Sequence, residues 1–508
     1  MNLFAAIHVG SEQISLKIVE YHTLDDIKIV DMASREVALG EETFKTGRIG
    51  SASVRDICDL LNGYRRMLQE YGVQDYRLIA TTAIREAENQ QYIIDQIRVK
   101  TGFNVEVVDM PQEIFFKYVS LCKTVTRFNL TNDPKGLLFV DISSGGLGFT
   151  LLKNGEIHYQ QNIHIGALRI KESFDRPQRE SAFFHQALVE YIYSTIEPVK
   201  QALQHDTVRY LILSGMETRL LLKMLNREQI GDLSFVSLTD FEKLYTQVMS
   251  LNLPQLMQTF DLTENKAEIV LPTIVLYKQI LALAHIEEIL IPHNRFMDGI
   301  TTLHIAEETT DPWRDIIEAQ VISLARVLGR KYQYDPKHAD SVENFALLLF
   351  DKLIRIHGLG KRERLLLKIS AILHDCGKYI NLRRHYFYSY RLIISSDILG
   401  FSETEKAVIA NIAHYHSKET PKTTDPNFAA LTKEQQVIVA KLAAILRLAD
   451  AIDRSHRQKV TIKSVTLKPD EMIITVCSNE DISLEEWTFA DKAHFFEDVF
   501  GVRAILRK

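Results

Sequence analysis

Histidine and aspartate residues occur inside strongly apolar helical segments in the last third of the chain. His338, the His374-Asp375 pair and Asp450 lie within or beside the segments YDPKHADSVENFALLLF, LLLKISAILHDCGKY and VAKLAAILRLADAIDRSH. Burying such side chains without polar partners is costly. A divalent ion (Mg²⁺, Mn²⁺, Fe²⁺ or Zn²⁺) would supply a partner, with imidazole nitrogen and carboxylate oxygen as mixed ligands. His338, His374, Asp375 and Asp450 are therefore candidate metal ligands, in a centre able to activate water.

This set of four resembles the HD superfamily of metal-dependent phosphohydrolases, whose ligands follow the order His, His-Asp, Asp. The resemblance implies an all-α, metal-binding domain of HD type. His385 and either His414 or His416 are candidate auxiliary ligands or phosphate contacts. The alternative is a metal that serves structure alone.

Three turns of small residues form a second group, each directly after a run typical of a strand. They are His8-Val9-Gly10-Ser11, Asp141-Ile142-Ser143-Ser144-Gly145-Gly146 and Leu213-Ser214-Gly215. Small side chains let backbone N–H groups approach phosphate oxygens, although glycine turns after strands are usually structural. The candidate phosphate-binding residues are Gly10, Ser11, Ser143, Ser144, Gly145, Gly146 and Gly215.

The order of these turns makes the chain similar to the exopolyphosphatase / guanosine pentaphosphate phosphohydrolase (Ppx/GppA) family, long form, within the actin-like ATPase superfamily. The matching segments are AAIHVGS at 5–11, TTAIREAEN at 81–89, VEVVDMPQEIFFKY at 105–118, FVDISSGG at 139–146 and HIGALRI at 164–170. The resemblance implies hydrolysis of terminal phosphoanhydride bonds in polyphosphate or guanosine pentaphosphate.

Three roles follow from this resemblance, position by position. Glu113 is expected to accept a proton from the attacking water. Asp141 is expected to bind Mg²⁺, and Arg85 to stabilise phosphate charge. The chain departs from the family where His8 and Gly148 stand in place of carboxylates, which removes two of three groups expected to organise the metal.

Two functions therefore stay open. The first is a phosphohydrolase with Glu113 as general base and Mg²⁺ at Asp141. The second is a sensor, in which the N-terminal half binds a phosphorylated nucleotide without turnover. The HD-type part would then carry a metal-dependent phosphohydrolase activity or a structural metal. Glu113 and Asp141 favour the first function, and His8 and Gly148 favour the second.

The elements that must position these residues follow from hydrophobic periodicity. Strand hairpins are predicted over 3–38, and helices over 51–72 and 87–101. A second cycle from 137 contains an Asn-Gly hairpin and a helix over 181–204. Helices dominate from about 312, at 336–357, 361–379, 386–397, 402–416 and 432–450, before a small α/β tail. The family resemblance implies the fold class, an actin-like, ribonuclease H-like α/β N-terminal half with domains 1–125 and 126–305. An HD-type helical domain (306–457) and an α/β domain (458–508) complete the chain.

Composition limits the class of protein. The 508 residues carry a formal net charge of −6, which argues against a general nucleic-acid binder. The four cysteines form no CxxC pair and predict reduced thiols in a cytoplasmic protein. The first residues lack the pattern of a secretion signal, and no apolar run is long enough for a membrane span. The resemblance also implies a homodimer.

Overall fold

The structure is a computed structural model that describes residues 2–143, 145–181, 183–215, 217–227, 231–293 and 296–508. The chain divides into two compact units, Met1–Gln320 and Val321–Lys508. The finer division into four domains stays a prediction.

The first unit contains two mixed sheets, and the first of them has five strands. These are β1 (Asn2–Val9), β2 (Gln13–Thr23), β3 (Asp26–Glu36), β4 (Asp75–Ala80) and β5 (Val105–Val107). Their order is β3-β2-β1-β4-β5, and the hairpins predicted over 3–38 are confirmed. Ala5 and Ile7 pack into one core cluster and Phe4 and Ala6 into another, because successive side chains of β1 point to opposite faces.

The second sheet has six strands in the order β10-β11-β9-β6-β7-β8. They are β6 (Leu137–Ile142), β7 (Leu147–Lys153), β8 (Glu156–Ile163), β9 (Thr207–Ser214), β10 (Leu233–Val236) and β11 (His285–Pro292). The Asn154-Gly155 turn joins β7 to β8 with both residues at positive φ, as the hairpin prediction requires. Parallel β6 and β9 pair Asp141 with Ser214, so the turns after these two strands lie at one edge.

Helices connect and flank these sheets. Those of the first unit up to the second sheet are α1 (Leu39–Thr46), α2 (Ser51–Tyr71), α3 (Thr82–Arg85), α4 (Gln90–Thr101) and α5 (Met110–Arg127). The others are α6 (Ala167–Glu172), α7 (Arg176–Arg179), α8 (Phe184–Leu203), α9 (Glu217–Met224), α10 (Leu238–Met249), α11 (Leu253–Phe260), α12 (Glu264–Leu281) and α13 (Phe296–Glu308).

Helix α5 carries the predicted general base and has a well-defined start. The Asp109 side chain accepts a hydrogen bond from the Gln112 backbone, and the Gln112 side chain accepts one from the Asp109 backbone. Pro111 occupies the first turn, where its missing N–H is harmless. This capping box holds the first turn of α5 at the edge of the first sheet.

The remaining helices are α14 (Trp313–Lys331), α15 (Pro336–Lys352), α16 (Ile354–His357), α17 (Lys361–Leu373), α18 (His385–Ile394), α19 (Glu403–His414), α20 (Pro426–Ala429), α21 (Lys433–Ile452) and α22 (Ser483–Phe500). A 3₁₀ helix spans Cys376–Tyr379. A three-stranded sheet follows, with strands β12 (Thr461–Leu467), β13 (Glu471–Cys477) and β14 (Arg503–Arg507). Among the described helices, none combines the length and apolar character that a membrane span needs.

Two predicted helices are shorter than expected. The helix predicted over 336–357 ends at Lys352, and the one predicted over 361–379 ends at Leu373. The second break has a local cause, because the Ser389 hydroxyl donates to the His374 carbonyl (2.6 Å) and accepts from the Gly377 N–H (2.9 Å). These backbone groups are thereby drawn out of the α-helical ladder, and the chain turns directly after His374-Asp375.

Candidate functional site

The turns predicted to bind phosphate meet around a cavity of about 140 Å³ in the first unit. Among the predicted residues, the cavity is lined by Gly10, Ser11, Glu113, Asp141, Ser143 and Gly215; it is also lined by His8, Thr82, Lys117, Ser214 and Glu217. Ser144 lies outside the described residues. Arg85, Gly145 and Gly146 do not line the cavity.

Two glycines are required by the backbone at this edge. A side chain at Gly215 would place its Cβ 2.1 Å from the Ile142 carbonyl oxygen, and its φ of +126° is one that other residues rarely adopt. A Cβ at Gly10 would lie 2.9 Å from the His8 ring. Both positions therefore leave backbone close to the cavity, as the small-residue pattern predicted.

The turn between β6 and β7 closes on itself. The Gly146 N–H donates to Ser143 Oγ (3.0 Å), and the Ser143 N–H donates to the Gly146 carbonyl (2.9 Å). The Gly145 carbonyl accepts a hydrogen bond from Arg169 Nε (3.0 Å), while the other end of that guanidinium pairs with Glu86 at 2.5 Å. Gly145 and Gly146 thus shape the turn and do not face the cavity.

Glu113 lies at the cavity wall and is almost fully buried. Its Oε2 accepts from Arg85 (3.1 Å), and its Oε1 accepts from Lys117 (3.3 Å). Burial alone would raise the pKa of Glu113, but the charges of Lys117 and Arg85 outweigh it and hold the pKa below its ordinary value. Arg85 also donates to the Val108 carbonyl and to Thr82. Arg85 therefore orients an ionised Glu113 from behind.

Asp141 lies at the end of β6 and is also buried. Its Oδ2 accepts from Lys117 Nζ at 2.8 Å, and its Oδ1 accepts from the Ser214 hydroxyl at 2.5 Å. Burial raises the pKa of Asp141 above its ordinary value, an effect that Lys117 opposes.

Lys117 is the cation that contacts both carboxylates of this cavity. It was not among the residues predicted from the sequence. Its ammonium group contacts both Glu113 and Asp141, and these carboxylates raise its pKa although burial alone would lower it. A lysine four residues after Glu113, amid the apolar residues of FFKYV, is the signal that could have revealed it.

His8 occupies the position at the end of β1 where the sequence comparison led us to expect a carboxylate. The ring of His8 hydrogen-bonds Thr81 Oγ1 (3.0 Å) and packs against Phe296, with ring centroids 4.4 Å apart. Burial lowers the pKa of His8 to about 4, so the imidazole is neutral at pH 7.

The Mg²⁺ ion expected at Asp141 does not fit between Asp141 and Glu113 while the Lys117 ammonium group contacts both carboxylates. Mg²⁺ needs oxygen ligands at about 2.0–2.1 Å and is usually held by one or two carboxylates. All four carboxylate oxygens of Glu113 and Asp141 already accept hydrogen bonds from Lys117, Arg85 or Ser214.

A second cluster forms in the Val321–Lys508 unit from the four predicted metal ligands. His338 Nε2 lies 3.3 Å from His374 Nε2 and 3.2 Å from Asp450 Oδ1. Asp375 Oδ2 lies 3.5 Å from His374 Nε2. Helices α15 and α21 and the end of α17 thus bring together side chains that are far apart in sequence.

Further histidines extend this cluster. His385 and His416 place Nε2 at 3.3 and 3.6 Å from Asp375 Oδ1 and lie 3.2 Å from each other. His414 instead faces Glu419 at 3.5 Å. The choice that the sequence left open between His414 and His416 therefore falls on His416.

Hydrogen bonds orient these imidazoles from outside the cluster. The Nδ1 atoms of His338, His374 and His416 contact the Asp453 carboxylate (2.9 Å), the Ala371 carbonyl (2.7 Å) and the Ala413 carbonyl (2.5 Å). Each Nε2 is left facing the centre, the arrangement in which histidine binds metals. The imidazole and carboxylate atoms present therefore fit a divalent metal ion such as Mn²⁺, Fe²⁺ or Zn²⁺.

Both parts of the chain match known proteins. The sequence model of the Ppx/GppA phosphatase family matches residues 17–300, and that of Ppx/GppA phosphatase domain III matches residues 322–491. A guanosine-5'-triphosphate,3'-diphosphate pyrophosphatase of Aeromonas salmonicida is 22% identical over 93% of this chain and 92% of its own length. One of Photobacterium profundum is 21% identical over 93% and 91%.

Solved structures show the same fold in the N-terminal part. An exopolyphosphatase from Cytophaga hutchinsonii has a TM-score of 0.53 at 21% identity, covering 60% of this chain and 98% of that one. An Aquifex aeolicus member of the Ppx/GppA family has a TM-score of 0.51 at 18% identity, covering 60% and 98%. With the family model spanning more than half of the sequence, the chain belongs to the Ppx/GppA phosphatase family.

Proposed function

We propose that this chain removes terminal phosphate from polyphosphate or guanosine pentaphosphate in the cavity of the first unit. The observation that carries the proposal is Glu113, an ionised and buried carboxylate beside the Gly10 and Gly215 turns. Two relatives that align with nearly the whole of this chain are named guanosine-5'-triphosphate,3'-diphosphate pyrophosphatase, and this supports the substrate class.

In the proposed reaction, Glu113 accepts the proton of the attacking water while the terminal phosphate lies between the turns. General-base catalysis of this kind is worth about 10²–10⁴ in rate. Arg85 keeps the carboxylate ionised and oriented from behind. Backbone N–H groups of the Gly10 and Gly215 turns, other than that of Gly10 itself, which donates to the Gln13 carbonyl, would hold the phosphate oxygens.

A second candidate function follows from the cluster in the helical unit. The convergence of His338, His374 and His416 Nε2 atoms with Asp375 and Asp450 favours a metal-dependent phosphohydrolase of HD type. A divalent metal bound there would supply Lewis-acid activation of water. Asp453 would orient His338. In this alternative, the cavity of the first unit serves as a sensor for a phosphorylated ligand.

Phosphate release from long polyphosphate and from guanosine pentaphosphate separates the two candidates. The intact chain is compared with Glu113→Gln and with the double variant His374→Ala/Asp375→Ala. We expect Glu113→Gln to lose activity by about 10²-fold or more and the double variant to retain it. Full activity in Glu113→Gln with loss in the double variant would move the chemistry to the helical unit.

The homodimer and the cytoplasmic location stay predictions. Light scattering on a size-exclusion column tests the first of them, and a dimer would elute at twice the chain mass of 58.3 kDa.

A further inference from the structure

Lys117 stands where the two predicted catalytic carboxylates meet. Its Nζ lies 2.8 Å from Asp141 Oδ2 and 3.3 Å from Glu113 Oε1, and its side chain is only 14% exposed. Together with Arg85, this ammonium group balances the charge of two buried carboxylates, whose burial without positively charged partners would be costly.

The remaining oxygens of these carboxylates are also occupied. Asp141 Oδ1 accepts from the Ser214 hydroxyl, and Glu113 Oε2 accepts from Arg85. A metal ion bound by both carboxylates would therefore have to displace the Lys117 ammonium group, whose positive charge would otherwise repel it.

The helical cluster shows what a metal-ready arrangement looks like in the same chain. Lysines there pair with Oδ2 of Asp375 and of Asp450, but both Oδ1 atoms face imidazole Nε2 atoms, which stay turned to the centre. The difference is that Lys378 and Lys492 each contact one carboxylate of the cluster, whereas Lys117 contacts both Glu113 and Asp141.

The two positions at which the family has further carboxylates, His8 in β1 and Gly148 in β7, supply none to Lys117. His8 is an imidazole that already pairs with Thr81. Gly148 has no side chain, and a Cβ there would lie 2.7 Å from Ile114, whose side chain fills the space. Two other acids, Glu12 and Glu217, also line the cavity, and burial raises the pKa of both above the ordinary value.

We propose that the Lys117 ammonium group is the resident cation of the cavity and holds Glu113 and Asp141 in place of a divalent metal ion. Lys117 is thus a positioning residue that excludes Mg²⁺ from the predicted site. This inference rests on the proposed function only in taking the cavity as the place of phosphate binding.

Mn²⁺, which reports its own binding by electron paramagnetic resonance, tests the proposal on the full chain without any substrate. The starting variant is His374→Ala/Asp375→Ala, which removes ligands of the helical cluster. We expect this variant to have no Mn²⁺ site at Asp141. The further change Asp141→Asn should therefore leave its Mn²⁺ binding unaltered. Adding Lys117→Met should create one Mn²⁺ site per chain, and Asp141→Asn should abolish it.

Lys123→Met in the same background is the matched control. Lys123 lies on the same helix and is half-buried, but its ammonium group donates to the Leu24 carbonyl and not to Glu113 or Asp141. We expect this variant to gain no Mn²⁺ site.

Two outcomes would overturn the proposal. One is bound Mn²⁺ in the starting variant that is lost on the further change Asp141→Asn. This comparison leaves Lys117 unaltered, so it does not depend on whether the Lys117 variants fold. The other is a folded Lys117→Met or Lys117→Gln variant that gains no Mn²⁺ site. Because no phosphate is present, neither outcome depends on whether the cavity hydrolyses anything.

Discussion

Glu217 begins helix α9 and turns a buried carboxyl group toward the cavity. Its Oε2 has no hydrogen-bond partner among the described residues. Burial first, and then repulsion by Glu12, raise the pKa of Glu217 to about 8; Lys117 opposes this shift and Asp141 adds to it. The group therefore keeps its proton near neutral pH, where an unfolded glutamate has lost it.

This pKa gives a pH dependence with a definite sign. The stability contributed by a raised carboxyl pKa is fully present below the ordinary value of 4.5 and is lost as pH rises toward 8. We expect Glu217→Gln to gain stability over the unaltered chain between pH 5 and 8, by at most about 1.4 kcal/mol per pH unit. Chemical denaturation at four pH values measures the free energy of unfolding of both proteins. Glu156→Gln, at an exposed position, is the control. Parallel curves for the unaltered chain and Glu217→Gln would contradict the expectation.

Asp453 offers a test of the helical cluster that leaves its predicted ligands intact. Its carboxylate accepts the hydrogen bond of His338 Nδ1 and fixes the ring so that Nε2 faces the centre. Loss of such an orienting partner typically weakens metal binding 10–100-fold. We expect Asp453→Ala to weaken Mn²⁺ binding to this extent by calorimetry, while Asp351→Ala, an exposed acid that pairs with Arg364, leaves it unchanged.

Sequence reasoning at this scale succeeded where chemistry depends on residue type and failed where it depends on neighbours. Glu113 and Asp141 line the cavity because their motifs place them next to small-residue turns. Lys117 contacts Asp141 across 24 positions of sequence, and such a contact follows from how α5 packs beside β6. The orienting role of Asp453 likewise depends on a contact with His338 at a separation of 115 residues.

Helices α5 and α13 approach each other closely at Phe116 and Gly299. A Cβ at Gly299 would lie 1.8 Å from the Phe116 carbonyl oxygen, so the two helices can approach only because this residue is glycine. Glu113 and Lys117 flank Phe116 on α5. The position of the cavity wall therefore depends on a residue in α13 that touches no substrate.

We expect Gly299→Ala to destabilise the chain by about 1–3 kcal/mol, because the added methyl group forces the helices apart. Phosphate release should fall as α5 carries Glu113 away from the turns. Gly63→Ala is the matched control, since a Cβ at that helical position meets nothing within 4 Å; it should stabilise the chain by about 0.5–1 kcal/mol. Denaturant unfolding measures both, and equal midpoints for the two variants would refute the argument.

Hydrophobic periodicity predicted which segments form helices and strands better than it predicted the residues at which those elements end. The apolar pattern over 336–357 continues through Leu353, although the structure places a turn there between α15 and α16. The pattern cannot reveal such a break, because a buried leucine in a turn looks like one in a helix. Ser402 and Glu405 did predict the start of α19, since a capping box depends only on residues close together in sequence.

At the scale of the whole chain, each of the two compact units carries its own candidate site. Metal binding should therefore stabilise a different set of elements from phosphate binding. With Mn²⁺ added, we expect slower amide hydrogen exchange in α15, α17 and α21, which carry His338, His374 and Asp450. With inorganic phosphate added, we expect slower exchange at the β1–β2 turn around Gly10. His374→Ala/Asp375→Ala should remove only the first effect; protection by Mn²⁺ that persists in this variant would argue against the cluster as its origin.

Hydrophobic periodicity predicted an α/β N-terminal half followed by a helical part, and the ordered Ppx/GppA motifs implied the finer, actin-like class. The two mixed sheets and their likeness to solved Ppx/GppA structures agree with it. The HD type of the helical part stays a prediction, since only the match to Ppx/GppA domain III describes it.

Arg169 connects the Gly145 turn, on the second sheet, with Glu86, which follows α3 near the end of the first sheet. This ion pair links the two sheets, and both side chains are 28% exposed. A partly exposed pair of this kind is worth at most about 1 kcal/mol, so little free energy is needed to break it. Raising the salt concentration weakens it, and the residence time of a bound polyanion should then shorten through faster departure as well as through weaker attraction.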